Sequence, residues 1–207
     1  MGVRRVTSAL ALCSAGLFGQ YTAERTGPPP VQLAARIAQL MQKDGFKVSH
    51  QGQPYCEIWF RAEQPSGRAQ PEVNVTLASI APGTLVGVIN FDDRGADRRG
   101  QPIAAGIYTL RYAVMPRNEA HLGAARQRDF LVMSRAADDQ DPNATPNFEA
   151  LMKMSAKASL TPHPAVLSLR KADADAPGFS QRGDDWILQT RLGETPIEVI
   201  LIGSANP

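Results

Sequence analysis

Three histidines, His50, His121 and His163, carry the sharpest chemical possibility in the chain. Imidazole nitrogens bind zinc, copper and related divalent metals, and Asp129 or Glu57 could add an oxygen ligand in a zinc or cupin-like arrangement. The spacing nominates no ligand pair: no two histidines stand at H-x-H or H-x-x-x-H, and His163 lies between Pro162 and Pro164, where a rigid turn accounts for it. His50, His121 and His163 are thus the metal candidates, and a divalent metal is the only cofactor the sequence suggests.

Other constellations fail at identifiable positions. Asp139, Asp141 and Asn143 open like a calcium loop, but Ala144 stands where the turn needs glycine and Ala150 where the bidentate glutamate belongs. The chain has no G-x-S-x-G elbow, no H-E-x-x-H helix, no phosphate-cradling glycine loop and no dinucleotide fingerprint. Asp184 and Asp185 beside Trp186 would suit a sugar platform, although a tryptophan at a strand start, like Trp59 within one, more commonly serves a core. Cys56 sits among alternating apolar residues and reads as a small buried hydrophobe. No catalytic residue is nominated.

Residues 1–19 have the layout of a signal peptide. Arg4 and Arg5 precede an apolar run that ends in small residues, with cleavage expected after Gly19. The run is shorter than the ~20 apolar residues that span a bilayer, so no membrane span is expected after cleavage. The expected location is periplasmic or extracellular. Loss of Arg4 and Arg5 leaves 20 basic residues against 20 acidic ones, a neutral chain with no global attraction for nucleic acid. Loss of Cys13 leaves Cys56 alone and excludes an intrachain disulfide. Arg94, Arg98 and Arg99 alternate with Asp92, Asp93 and Asp97, and Arg126 and Arg128 adjoin Asp129; these read as solvated loop charges.

Residues 20–30, ending in Gly27-Pro28-Pro29-Pro30, read as a Pro-rich linker, and residues 31–207 as one domain. Leu33, Ile37, Leu40 and Met41 recur at helical spacing and predict an amphipathic helix over 31–44, closed by Gly45. Period-two alternation then predicts strands over 46–49, 56–62, 73–77, 84–91, 107–115 and 130–134, the near-continuous apolar run at 84–91 implying burial on both faces. Gly52 marks the turn between the first two. Thr145 as N-cap and Pro146 predict a second helix over 146–158, burying Phe148, Leu151 and Met152. Strands return at 166–170, 186–192 and 197–202, the last two joined by a turn at 193–196. Eight or nine short strands with two accessory amphipathic helices predict an all-β fold, mainly an antiparallel β-sandwich.

The segment Ala104-Ala105-Gly106-Ile107-Tyr108-Thr109-Leu110-Arg111-Tyr112 resembles the glycine-then-Tyr-Thr-Leu strand of transthyretin-like and carboxypeptidase-regulatory-like sandwiches. It also resembles uncharacterised exported bacterial proteins that continue with a histidine-containing loop, here His121-Leu122-Gly123, and an Arg-Asp-Phe strand, here Arg128-Asp129-Phe130. The resemblance implies a sandwich scaffold and no catalytic residues.

Together these features point to an exported, non-catalytic β-sandwich module that binds a partner protein, a glycan or a small ligand through its loops, chiefly 92–101 and 116–129. The alternatives are a secreted metal-dependent enzyme using the histidines, and a structural subunit of an extracytoplasmic assembly docked through the 31–44 helix.

Overall fold

The switch to alternating periodicity near residue 46 is realised as strands. In the computed structural model, residues 21–65, 67, 71–116 and 127–204 are described; the leader 1–19, His121 and most of the 116–129 loop lie outside them. The first half runs β1 (Tyr21–Arg25), α1 (Ala35–Ala38), β2 (Phe46–His50), β3 (Gln53–Phe60), β4 (Leu85–Phe91), β5 (Gly95–Ala96) and β6 (Pro102–Ile103). The second runs β7 (Gly106–Val114), β8 (Asp129–Arg135), α2 (Phe148–Ser155), β9 (Val166–Lys171), β10 (Gly178–Arg182), β11 (Asp185–Leu192) and β12 (Thr195–Ile202). None of the described helices is long and apolar enough to cross a membrane.

Ten strands form one antiparallel sheet in the order β1-β2-β3-β4-β7-β8-β9-β12-β11-β10, while β5 and β6 make a separate small hairpin. The β2–β3 turn is specified locally. Gln51 and Gly52 have φ of 52° and 79°, the signs a type I′ hairpin needs at both central positions. Along each strand alternate residues enter one continuous core: Cys56, Ile58 and Phe60 from β3, Tyr108, Leu110 and Tyr112 from β7, Val199 and Leu201 from β12. Two further clusters cover the sheet's other face. Leu33, Ile37 and Met41 pack on Trp59, Leu85 and Val88, and Leu151 of α2 packs on Ala113, Phe130 and Val132. β4 is therefore buried on both sides, as its apolar run predicts.

The predicted sandwich is corrected to a single sheet that curls until it is nearly closed, like a barrel. Alternation shows that one face of each strand is buried, but stacking two sheets and curling one sheet produce the same pattern. At the seam a ring contact stands where ladder bonds would be: Tyr21 of β1 meets Trp186 of β11 at 5.6 Å between centroids, and within the β10–β11 hairpin Phe179 stacks on the same Trp186 at 5.4 Å.

Four local expectations change. The 31–44 helix contracts to the single turn Ala35–Ala38, because the chain after it joins the sheet: Met41 bridges Arg61, and Gln42 N–H donates to the Phe60 carbonyl. The second helix starts at Phe148, capped by Asn147, whose side chain accepts the Ala150 N–H, rather than by Thr145. Residues 73–77 form no strand; Asn74 has φ 63° and the N–H groups of Thr76 and Leu77 go to the Asp129 carboxylate. Tyr21–Arg25, placed by sequence in the Pro-rich linker, is instead strand β1, paired with β2.

Candidate functional site

Because Leu167, Leu169, Ile197, Val199 and Leu188 point into the core, their neighbours Ser168, Arg170, Glu198, Ile200 and Ile187 face the other way. Pairing aligns these residues in rows. Ser168, Ile200 and Ile187 stand opposite one another across β9, β12 and β11, and Arg170, Glu198 and Gln189 do the same one step further along. All of these residues except Gln189 line a cleft of about 680 Å³ and form its floor. Arg182 and Asp185 close one end, joined by Arg98 from the segment after β5; Gln127 and Asp129, at the start of β8, stand at the other.

Glu198 organises the cleft. Its side chain is 4% exposed, and both oxygens are occupied. Arg182 donates from Nη2 to Oε1 at 2.6 Å and from Nη1 to Oε2 at 3.2 Å, Arg170 from Nε to Oε2 at 2.6 Å, and Gln189 from Nε2 to Oε1 at 2.6 Å. Burial alone would push the carboxyl pKa up. Hydrogen bonds and charges from Arg182 and Arg170 outweigh that and hold it below the ordinary value, so Glu198 is a fixed anion. Two guanidinium groups on one carboxylate leave a local excess of one positive charge. Both arginines keep an open side, with side chains 41% and 44% exposed.

The other carboxylates are committed too. Asp185 takes a two-pronged contact from Arg98, Nε to Oδ1 at 2.9 Å and Nη2 to Oδ2 at 2.7 Å. Asp129 accepts from the Tyr112 hydroxyl at 2.6 Å, the Thr76 N–H at 2.7 Å and the Leu77 N–H at 3.1 Å. Burial and this bond to Asp129 raise the Tyr112 pKa far above that of a free phenol, so Tyr112 stays a proton donor. Each carboxylate of the lining is thus hydrogen-bonded within the protein, and the outer edges of Arg170 and Arg182 and the apolar sides of Ile187 and Ile200 remain for a ligand.

The solvated reading of the loop charges holds for Asp92, Asp93, Arg94 and Arg99, which are exposed, and fails for three others. Arg128 and Asp129 are buried, Arg128 donating to Glu72 and to the Met115 carbonyl. Asp97 is buried as well, accepting from the Gln101 side chain at 2.8 Å and from Arg99 at 2.9 Å. Cys56 is buried as expected, its thiol pKa pushed up by burial and then by Glu57 and Asp92.

Of the metal candidates, His50 and His163 are not among the residues that line this cleft. His50, at the end of β2, stacks on Tyr21 with ring centroids 4.4 Å apart. His163 is exposed in the connection between α2 and β9, where its N–H donates to Thr161. β3, β4, β7 and β8 stand between β2 and β9 in the sheet, and His121 lies outside the described residues. Of the expected oxygen ligands, Glu57 accepts from Thr26 and Asp129 is engaged as above. Among the described residues no three His, Cys, Asp or Glu side chains group as a metal site.

Sequence reasoning did not find Glu198, Arg170 and Arg182. Glu198 and Arg170 stood as charged residues inside predicted strands and Arg182 in none, and the pairing of β9 with β12 skips two strands and cannot be read from order alone. Comparison with protein-family models, curated proteins and solved structures gave no match to the chain.

Proposed function

We propose that the protein is an exported, non-catalytic binding module whose ligand occupies the cleft over β9, β12 and β11. The observation that carries this reading is the cleft itself, about 680 Å³ with a preformed floor of paired charges and two isoleucines. That volume lies in the range of small-molecule sites, ~300–1,000 Å³, which favours a small ligand over a protein partner or a long glycan. Both loops expected to bind contribute: Arg98 comes from 92–101, and Gln127 and Asp129 from the end of 116–129. Export rests on the leader-like residues 1–19. The transthyretin-like segment is β7, which lies between β4 and β8, where it acts as scaffold.

The reading is tested by methyl-resolved NMR of the protein against a fragment library. Fragments that bind are expected to shift the Ile187 and Ile200 methyl signals ahead of those of core residues such as Leu110. A library that leaves both isoleucines unmoved overturns the assignment.

A further inference from the structure

We infer that the cleft captures its ligand through an anionic group, a carboxylate or phosphate-type oxyanion, held by Arg170 and Arg182 above the buried Glu198. This inference rests on the cleft being the ligand site, and it adds the ligand's chemical class.

Over the whole lining Arg98, Arg170 and Arg182 balance Asp129, Asp185 and Glu198, but around Glu198 the charge is unequal. Arg170 reaches Glu198 from β9 and Arg182 reaches it from β10, so one buried carboxylate is flanked by cations on two sides. A guanidinium has five N–H donors in a planar fork. Each arginine commits two of its nitrogens to Glu198, and donors remain on the outer edges. Those edges belong to side chains 41% and 44% exposed, inside a cleft rather than on an open surface. Planar paired donors of this kind suit an oxyanion with two or three acceptor oxygens.

Preorganisation strengthens the case. A free arginine loses rotamer freedom when it grips a ligand, which weakens binding. Here the bonds to Glu198 have already restricted both side chains. Ile187 and Ile200, in the adjoining row, offer apolar contact to the carbon skeleton next to the anionic group. The ligand class is therefore a small organic anion with an apolar portion, and a neutral sugar would leave the outward donors without an acceptor of matching charge.

The test uses two probes, glutarate and phenyl phosphate, titrated by NMR into the wild-type protein and into Arg170→Gln and Arg182→Gln. Each variant still leaves Glu198 one guanidinium, and near-UV circular dichroism checks that the fold is kept; Arg182→Lys, which preserves the charge, is measured beside them. At least one probe is expected to move the Ile187 and Ile200 methyl signals together with the arginine Nε–H signals. Its Kd is expected to rise about tenfold in either glutamine variant, the loss of one charge-assisted hydrogen bond, and less in the lysine variant. Response to only one probe separates carboxylate from phosphate. Equal affinity in the wild type and both glutamine variants overturns the inference, as does a cleft that answers to neutral fragments and to neither anion; the latter leaves the cleft assignment standing. No fragment of any charge moving the two isoleucines removes both.

Discussion

Arg111 and Asp139 lie fork to fork, Nε to Oδ2 and Nη2 to Oδ1 both at 2.7 Å, with the Arg111 side chain fully buried. The remaining guanidinium donors reach the carbonyls of Gly83, Ala144 and Asp141. One strand residue of β7 thus pins the chain before β4 and the segment leading to α2. Asp139→Ala strands a buried cation and is expected to destabilise the fold by about 3–5 kcal/mol, measured by urea unfolding at neutral pH. A loss below about 1 kcal/mol would show that water replaces the carboxylate at little cost.

The elements legible in the sequence are those whose instructions are local. β4, β7, β11 and β12 fall within a residue or two of their expected limits, since each is a strong apolar run or alternation bounded by turn residues. The edge strands were not legible: in Tyr21–Arg25 only Tyr21 and Ala23 are half-buried and in Gly178–Arg182 only Phe179, an alternation too short to stand out. The helix over 31–44 shows a different limit. Leu33, Ile37 and Met41 do share one buried face, but after one turn the backbone pairs with the sheet, a tertiary bond that outweighs propensity. The cleft was hidden for a third reason, because Glu198 meets Arg170 and Arg182 only through a strand order that doubles back after β9.

Glu198 makes the fold sensitive to acid. Its pKa is held below the unfolded value of ~4.3, so the folded state keeps the proton off where the unfolded chain begins to take it up. Its contribution is therefore complete above pH ~4.3 and is lost as pH falls through the lower folded value. Urea midpoints measured from pH 6 downwards are expected to drop for the wild type, with a shallower acid limb for Glu198→Gln. Parallel limbs would assign the acid sensitivity to other carboxylates.

Cys56 is expected to be chemically silent in the folded protein. It is buried, and burial followed by the Glu57 and Asp92 charges raises its thiol pKa, so thiolate is scarce at neutral pH. Labelling with a thiol reagent, read by peptide mapping, should modify the Cys56 peptide only at the rate of unfolding and promptly once denaturant is added. Rapid native labelling would mean that β3 opens locally far more often than its packing indicates.

The seam of the sheet sets the last expectation. β1 and β10 each pair on one side only, whereas β7 and β8 are bonded on both sides and buried along their length. Across the seam Tyr21 meets Trp186, whose other neighbour is Phe179 of β10, a ring contact that joins surfaces without protecting amides. Amide hydrogen exchange should therefore be at least about tenfold faster in β1 and β10 than in β7 and β8, with the central pair setting the global limit. Tyr21→Ala is expected to speed exchange in β1 further and leave β7 unchanged. Uniform protection from β1 through β10 would instead mean that the two edges are bonded to each other in solution, and that the curl is a closed barrel.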